Sequence, residues 1–313
     1  MEHILKSIKQ LKQEKSATIL AHYYTTPQIQ DAADYIGDSL ALAQEAVKLQ
    51  NDLIVMCGVH FMGETVKILA PHKKVLLPDM NASCSLAESC EYGKFKQFVD
   101  EHRGYTVISY VNTSAAVKSL TDICCTSSNA LPIVKSLPRN EKILFAPDRN
   151  LGDYIKSQTG RDDMVVWDGA CHVHEQFSVE KIVELKRQFP NAKVLAHPEC
   201  KKPVLILADE VGSTAALLKY SQASSSKEFI VATEPGIIHQ MKRNSPQKIF
   251  IPVPPVDSTC GCNDCEFMKL ITPEKLYLSL KNECPEVLVE EGLRVKAEKS
   301  IVRMLEMSKK LGL

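Results

Sequence analysis

The amino-acid sequence predicts an α/β protein built from three pseudo-threefold-related, three-layer α/β/α repeats whose parallel sheets surround one central site. Short aliphatic runs alternate with helical patterns along the chain, and polar landmarks recur with a period of 87 to 88 residues. Aliphatic runs without polar alternation are typical of parallel strands covered on both faces. Helices between such strands make right-handed crossovers, so each repeat is expected to form its own layered unit.

Two independent sets of landmarks define the period. Three segments begin alike, ATILAHYY, YTVISYVN and AKVLAHPE, and they place His22, Tyr110 and His197 at matching positions, 88 and 87 residues apart. In each repeat a cluster of small hydroxyl residues then opens a helical pattern. The matching hydroxyl residues are Ser39, Ser127 and Thr214. They are again 88 and 87 residues apart, so the repeat is unlikely to arise by chance.

The elements follow from these patterns in chain order. A charged amphipathic stretch predicts an N-terminal helix at 1–15, and a second helical pattern predicts a C-terminal helix at 285–313, both packed outside the repeats. The repeats between them are predicted at 16–100, 101–188 and 189–284. Each has three predicted strands, which are TILAH, DLIVMCG and KVLLP, then TVISY, KILFAP and MVVWDG, then KVLAH, EFIVATE and KIFIPV.

The composition excludes several classes of protein. The 313 residues carry 38 Lys+Arg and 38 Asp+Glu, and this zero net charge argues against a nucleic-acid binder. The first residues lack the apolar core of a signal peptide, and no apolar run approaches the ~18 to 20 residues that span a bilayer. We therefore expect a cytoplasmic protein with no membrane partner. The odd number of cysteines, 11, favours metal binding or catalysis over disulfides in a reducing compartment.

Polar side chains follow the first predicted strand of each repeat. Ligands bind beyond the carboxyl ends of parallel strands, where helix N-termini also point, so three copies around a pseudo-axis would bring these groups together. The groups are His22, Tyr23, Tyr24, Tyr110, Asn112, His197 and Glu199. The three matching hydroxyl residues either cap their helices or receive a carboxylate or phosphate, and the sequence leaves both interpretations open.

Cysteines recur with the same period. Cys84 and Cys171 follow the third predicted strand of the first two repeats, 87 residues apart, and the third repeat has TCGCNDCEFMK at the equivalent place. Three converging thiolates could hold zinc or an iron–sulfur cluster with one metal position open, which favours catalysis. Of the neighbouring histidines, His174 is predicted to face the site and His172 to be structural. Packing or surface positions are predicted for Cys57, for Cys124 and Cys125 in the helix-start segment DICCTSS, and for Cys200 and Cys284.

Several longer motifs carry a resemblance to a known family. They include AHYYTTPQIQDAADYIGDSLALAQEA, YVNTSAAVKSLTDICCTSSNA, APDRNLGDYI, GACHVHE, HPECKKPV, DEVGSTAAL, TEPGIIHQMK and CEFMKLITPEKL. Together they closely resemble the quinolinate synthase family over nearly the whole chain. The resemblance implies a three-repeat fold, a 4Fe–4S cluster, and condensation of iminoaspartate with dihydroxyacetone phosphate to quinolinate for NAD synthesis, with loss of phosphate and water. It also implies functional coupling to an enzyme that produces iminoaspartate.

The resemblance also assigns residues by position. The cluster ligands, one cluster per chain, are Cys84, Cys171 and Cys265. The open iron would act as a Lewis acid. The implied catalytic residues are Tyr24, Tyr110, Glu199 and His174. The implied substrate-binding residues are His22, Ser39, Tyr110, Val111, Asn112, Ser127, His197, Pro198, Glu199 and Thr214. Further matching polar positions are Glu64 and Lys67.

Two arguments disagree about the third cluster ligand. The period points near Cys260, whereas the family signature Cys-x-x-Met-Lys points to Cys265 at a predicted helix start, where the helix dipole would lower the thiol pKa. We favour Cys265 and interpret Cys260 and Cys262 as loop thiols. Two other functions stay open at this stage, a cluster-dependent hydro-lyase and a zinc-stabilised scaffold without catalysis.

Overall fold

The computed structural model describes residues 2–256 and 263–313 and confirms the predicted fold class, with three four-stranded sheets. The strands are β1 (Ala17–His22), β2 (Tyr35–Gly37), β3 (Leu53–Cys57) and β4 (Lys74–Leu76), then β5 (Thr106–Tyr110), β6 (Ile123–Cys125), β7 (Ile143–Ala146) and β8 (Val165–Val166), then β9 (Lys193–Ala196), β10 (Glu210–Val211), β11 (Glu228–Ala232) and β12 (Ile249–Pro252). Neighbouring strands are parallel in every sheet. The strand order is the same each time: β2-β1-β3-β4, β6-β5-β7-β8 and β10-β9-β11-β12.

Helices connect and cover these strands. They are α1 (Glu2–Glu14), α2 (Pro27–Ala32), α3 (Ser39–Lys48), α4 (His60–Leu69), α5 (Ser85–Glu88), α6 (Tyr92–Glu101), α7 (Ala115–Lys118), α8 (Ala130–Ser136), α9 (Arg149–Thr159), α10 (His172–Glu175), α11 (Val179–Gln188), α12 (Lys202–Ile206), α13 (Thr214–Ala223), α14 (Ile237–Asn244), α15 (Glu266–Lys269), α16 (Pro273–Asn282) and α17 (Glu291–Lys310). Within residues 2–256 and 263–313, no helix combines the length and apolar character that crossing a bilayer requires.

The first sheet is buried on both faces because its strands are aliphatic throughout. Successive side chains of a strand point to opposite faces. Ile19 packs on one face with Ile8 of α1 and Leu276 of α16. Leu20 and Ile54 point to the other face and join a large cluster that contains residues of α3, α4 and α17.

The second sheet shares that large cluster. Ile108 and Phe145 belong to it together with Ile301 of α17, so the C-terminal helix packs against the first two sheets at once. On the opposite face, Val107 packs with Phe95 of α6. The two units are therefore joined by a continuous apolar core.

The third sheet has an apolar cluster of its own on each face. Val194 packs with Ile182 of α11 on one face. Leu195 packs with Leu217 of α13 and Met241 of α14 on the other. Three layers therefore form in this unit as well.

The second strand in each sheet was not predicted. Cys124 and Cys125, which the sequence placed in a helix-start segment, form the end of β6 and pair with Ser109 and Tyr110 of β5. These strands have only two or three residues, too few for a recognisable pattern. They form strands because they pair with the central strand of their sheet, and their local β propensity alone would not be enough.

The helices that follow these short strands are not capped by the hydroxyl residues that one interpretation of the sequence suggested. The N-caps are Asp38, Asn129 and Ser213. The Asp38 side chain accepts a hydrogen bond from the Ala41 N–H, and the Ser213 side chain accepts one from the Ala216 N–H. The matching hydroxyl residues are not the caps. Ser39 and Thr214 are instead the first residues of α3 and α13, and both line the cavity at the sheet ends.

Candidate active site

The carboxyl ends of the three sheets face one cavity of about 70 Å³. All three repeats contribute to its wall. The predicted site residues that line it are His22, Tyr24, Ser39, Cys84, Tyr110, Asn112, Ser127, Cys171, His174, His197, Glu199, Thr214 and Cys265. The topology explains this convergence, because equivalent strand ends come together around the pseudo-axis.

Five predicted positions lie elsewhere. Tyr23 packs against the apolar cluster on one face of the third sheet. Val111 lines a small neighbouring apolar cavity, and Pro198 is buried outside the wall, because each stands between two lining residues and alternate side chains point apart. The Glu64 carboxylate accepts from the Ala115 N–H at 3.0 Å. The Lys67 ammonium donates to the Lys73 carbonyl and to Glu286. Cys260 and Cys262 fall outside the described residues.

Two imidazoles from different repeats are held in the same way. The Nδ1 atom of His22 accepts from the Tyr24 N–H at 3.2 Å, and Nδ1 of His197 accepts from the Glu199 N–H at 3.3 Å. Burial lowers the pKa of each to about 3, with nearby Glu199 opposing the shift. Both rings are therefore neutral near pH 7, and since Nδ1 accepts, the proton lies on Nε2.

Glu199 is a buried carboxylate at the centre of the site, 3% exposed. The Tyr110 hydroxyl donates to Oε1 at 2.6 Å, and Nδ1 of His174 lies 3.0 Å from Oε2. Burial acts to raise the pKa of Glu199, but His174, His197 and the Tyr110 hydrogen bond outweigh it and hold the pKa well below the usual value. Glu199 is therefore ionised in the cavity.

A chain of hydroxyl groups links this carboxylate to Tyr24. The Tyr24 hydroxyl lies 2.8 Å from Oγ1 of Thr214 and 2.8 Å from Oγ1 of Thr233. Thr233 Oγ1 in turn lies 3.1 Å from Nε2 of His174. Burial raises the pKa of Tyr24 well above its ordinary value, so the hydroxyl is protonated in the resting site.

The ionised carboxylate sets the direction of this chain. Because a carboxylate only accepts, a neutral His174 carries its proton on Nδ1 and accepts at Nε2 from Thr233. The Thr233 hydroxyl can then accept a hydrogen bond from the Tyr24 hydroxyl, which in turn can accept one from Thr214. Two hydrogen bonds therefore connect Tyr24 to His174, and Nδ1 of His174 lies 3.0 Å from the Glu199 carboxylate.

Three thiols from the three repeats line the same cavity. Cys84, Cys171 and Cys265 each stand at the N-cap of a short helix, α5, α10 and α15. They lie close enough that the charge of Cys265 affects the pKa of the other two thiols. Three thiols at one place form a soft donor set that suits iron–sulfur or zinc chemistry.

The expected effect of the helix start on Cys265 is wrong for the cavity without a cofactor. Burial raises the pKa of this thiol to about 11, although the N–H groups of Met268 and Phe267 lower it. Burial likewise raises the pKa of Cys84 to about 12. Desolvation of the thiolate outweighs the N–H groups at a helix of only four residues.

A second donor set overlaps the first. One ligand atom each from Cys171, His174 and Glu199 lies within 4.8 Å of the others, a spacing that could hold a single metal ion. This set mixes one thiol with nitrogen and oxygen, as zinc sites do. It competes with the three-thiol set for Cys171.

Sequence reasoning missed several residues of the site. Thr233 and Glu234 directly follow β11, and Glu234 lines the cavity. His172, predicted to be structural, also lines it and lies 2.7 Å from the Ser85 hydroxyl through Nδ1. A signal was available, because Thr233 begins the motif TEPG at the carboxyl end of a predicted strand.

Comparison with known proteins supports one family. A family model described as quinolinate synthetase A protein matches residues 6–306. A quinolinate synthase of Microcystis aeruginosa is 56% identical over 307 residues, covering 98% of this chain and 96% of the relative. Quinolinate synthases of Thermosynechococcus vestitus and Chloroherpeton thalassium are 56% and 54% identical, and each alignment covers 95% of the relative and 97% or 98% of this chain.

Proposed function

The chain belongs to the quinolinate synthase family, and we propose that it condenses iminoaspartate with dihydroxyacetone phosphate to quinolinate, releasing phosphate and water. Quinolinate is the pyridine dicarboxylate from which NAD is made. The observation that carries the proposal is one cavity in which three thiols, two neutral imidazole donors and a Tyr–Thr–His–Glu chain converge.

Cys84, Cys171 and Cys265 would hold one 4Fe–4S cluster per chain. Their fit rests on donor chemistry, since three thiols are what the described residues bring to the cavity, and three thiol ligands match a cluster with one iron open to substrate. When bound, such a cluster supplies a Lewis acid for carboxylate and hydroxyl oxygens. The protein contributes the remaining groups of the wall.

The cavity wall matches two anionic substrates. The Nε2–H groups of His22 and His197 are donors for carboxylate oxygens, and they bind without adding charge. Ser39 and Thr214 open α3 and α13, where a hydroxyl and free helix N–H groups favour a carboxylate or phosphate. Oδ1 of Asn112 is buried and has no hydrogen-bond partner among residues 2–256 and 263–313, so it can accept the N–H of an imine.

Ring formation requires that carbon-bound protons are lost and that a hydroxyl leaves as water. Tyr24 can take a proton from carbon while its own proton passes in the same step through Thr233 and His174 to Glu199, so no free phenolate forms. The C–H electron pair forms the ring double bond as the adjacent hydroxyl departs. Tyr110, hydrogen-bonded to Glu199, can protonate that hydroxyl so that it leaves as water.

The proposed chemistry fits a cytoplasmic setting. A reducing compartment keeps thiols free for metal binding, and no disulfide joins the cysteines within residues 2–256 and 263–313. Imines hydrolyse in water, so we also propose functional coupling to an enzyme that produces iminoaspartate. Both proposals follow from the chemistry of the substrates and thiols.

The test of this function starts with protein purified without air. We expect brown protein with about four irons per chain that forms quinolinate only when both substrates are present. A hydro-lyase would have no use for dihydroxyacetone phosphate. Stoichiometric zinc without visible absorption would instead support the Cys171, His174 and Glu199 site and contradict the cluster.

Matched variants separate the ligands from the catalytic groups. Cys265→Ser should lose iron, whereas the double change Cys260→Ser with Cys262→Ser should keep it; the reverse result would reassign the third ligand. Glu199→Gln and Tyr110→Phe should keep iron and fold but lose most turnover, about 100-fold or more. Tyr92→Phe, on an exposed tyrosine, is the control.

A further inference from the structure

One buried ion pair at the cavity has no part in the proposed reaction. The Glu234 side chain is fully buried, and Oε1 accepts from the Lys269 ammonium at 2.5 Å. The same oxygen accepts from the Cys265 N–H at 3.2 Å. Oε2 accepts from the Gly236 N–H at 2.7 Å, so both carboxylate oxygens are satisfied.

Lys269 carries this connection to the first repeat. Its ammonium donates to the main-chain carbonyl of Tyr24 at 2.7 Å, and Asp264 lies 3.5 Å away as a second, partly exposed anion. Lys269 lies on α15, the helix that Cys265 caps. The pair therefore ties the loop after β11, the start of α15 and the loop after β1 together.

The packing leaves little freedom at this junction. A Cβ atom on Gly236 would come within 2.8 Å of the Tyr23 carbonyl and 2.9 Å of Cα of Tyr24. The loop after β11 therefore lies directly against the loop that carries the reactive tyrosine. α15 has only four residues and cannot fix the position of its own N-cap.

We propose that the Glu234–Lys269 pair is a positioning device that fixes the Cys265 thiol and the Tyr24 loop relative to each other. The roles given to Cys265 and Tyr24 rest on the proposed function, but the coupling between the two segments does not. The pair touches the main chain of both segments, so its loss would loosen both at once. The Lys269 ammonium donates to both Glu234 and the Tyr24 carbonyl, and hydrogen bonds from a charged donor hold such a junction more tightly than those from a neutral one.

The test compares Lys269→Met and Glu234→Gln with a matched control. Lys275→Met breaks an ion pair of the same length, 2.5 Å to Asp79, on the next helix and away from the cavity. Hydrogen exchange of cofactor-free protein is followed by mass spectrometry. We expect exchange at 22–26 and at 263–269 to rise about tenfold in Lys269→Met, and less in Glu234→Gln, which keeps an accepting oxygen.

Alkylation of the cofactor-free protein gives a second measurement. The rate at Cys265 should rise severalfold relative to Cys84 in Lys269→Met, and Lys275→Met should leave both rates unchanged. In iron-loaded protein, Lys269→Met should lower kcat about tenfold or more with little change in KM, because the groups are misplaced rather than lost. Lys269→Arg keeps the charge and should retain part of the kcat that Lys269→Met loses.

Each outcome bears on the coupling itself. Increased exchange at 263–269 with no change at 22–26 would overturn the proposal, as would equal effects of Lys269→Met and Lys275→Met. Exchange that rises over the whole chain in Lys269→Met would show a general stabilising role and would also contradict it. If wild-type protein binds no iron and makes no quinolinate, the proposed function fails, while the exchange and alkylation results still decide the coupling.

Discussion

His22 and His197 show how single residues adapt to the cavity. Both rings are buried and neutral, with Nδ1 bonded to the main chain two residues on, so each presents one N–H donor. A neutral donor beside ionised Glu199 can hydrogen-bond a substrate carboxylate without a change in charge. Because both rings stay neutral in the folded protein, they also make its stability depend on pH.

In the folded protein the two imidazoles stay neutral until the pH falls to their pKa of about 3. In the unfolded chain they take up protons below about pH 6.5. Lowering the pH through this window therefore stabilises the unfolded state. When the pH is lowered from about 7.5 to about 5.5, each ring should reduce the free energy of unfolding by about 1.4 kcal/mol. Urea unfolding of cofactor-free protein at both pH values measures the loss.

The matched variants are His22→Gln and, as the control, His72→Gln on an exposed histidine. Removing His22 should make the loss between the two pH values smaller by about 1.4 kcal/mol, and removing His72 should not. If His22→Gln loses as much stability as wild type, the buried ring is protonated in the folded protein. His22 would then bind its substrate as a cation.

The residue-level predictions rest on positions where the three repeats carry equivalent chemistry. His22, Tyr110 and His197 occupy equivalent strand ends, and the cavity contains all three. Thr233 and Glu234 were missed because their equivalents after β3 and β7 are Gly58, Val59, Pro147 and Asp148. A polar residue that stands at the site in only one repeat leaves no periodic signal.

At the scale of elements, the long aliphatic strands were predictable and the short edge strands were not. β1, β5 and β9 are buried along most of their length, so their patterns are nearly all apolar. β2, β6 and β10 depend on pairing with these strands. The caps follow the same logic. Asp38 and Ser213 cap through their side chains, and which of two neighbouring residues takes the cap position depends on where the folded helix begins.

Gly236 gives an element-scale prediction for the loop between β11 and α14. Its missing side chain lets this loop lie against the main chain of Tyr23 and Tyr24, neither of which can move independently of β1. Gly236→Ala should therefore push the two loops apart and lower kcat at least about tenfold, while iron binding is reduced less. Turnover and iron content of anaerobic protein are the measurements.

Gly292→Ala is the control for this change. A Cβ atom there meets only the end of the flexible Glu290 side chain at 3.1 Å, so activity should stay near that of wild type. Wild-type turnover in Gly236→Ala would show that the loops can separate without cost. The close approach would then have no part in placing Tyr24.

At the scale of the molecule, the three repeats share a cavity but not a core. The large apolar cluster joins the first two sheets and includes α17, which packs against α4, α7 and β6. The third sheet is buried by its own smaller clusters, one on each face. Much of the contact between the third unit and the others is polar, as in the hydrogen bond between Gln30 and Gln240.

This division predicts that the third unit of the cofactor-free protein unfolds first. Buried thiols report on each region, because Cys57, Cys125 and Cys200 are all fully buried and lie in the first, second and third units. In pulsed alkylation across a urea series, Cys200 should become reactive at a lower urea concentration than Cys57 and Cys125, which should react together.

A bound cluster should change this order, because the three proposed ligands come from all three units. Opening the third unit then requires release of Cys265, so the three thiols should become reactive at one higher urea concentration. Cys265→Ser is the matched variant, and it should behave like cofactor-free protein even after incubation with iron and sulfide. If Cys200 and Cys125 react at the same urea concentration without a cofactor, the polar contacts between units already make unfolding cooperative. The cluster would then be needed for catalysis but not for holding the third unit against the other two.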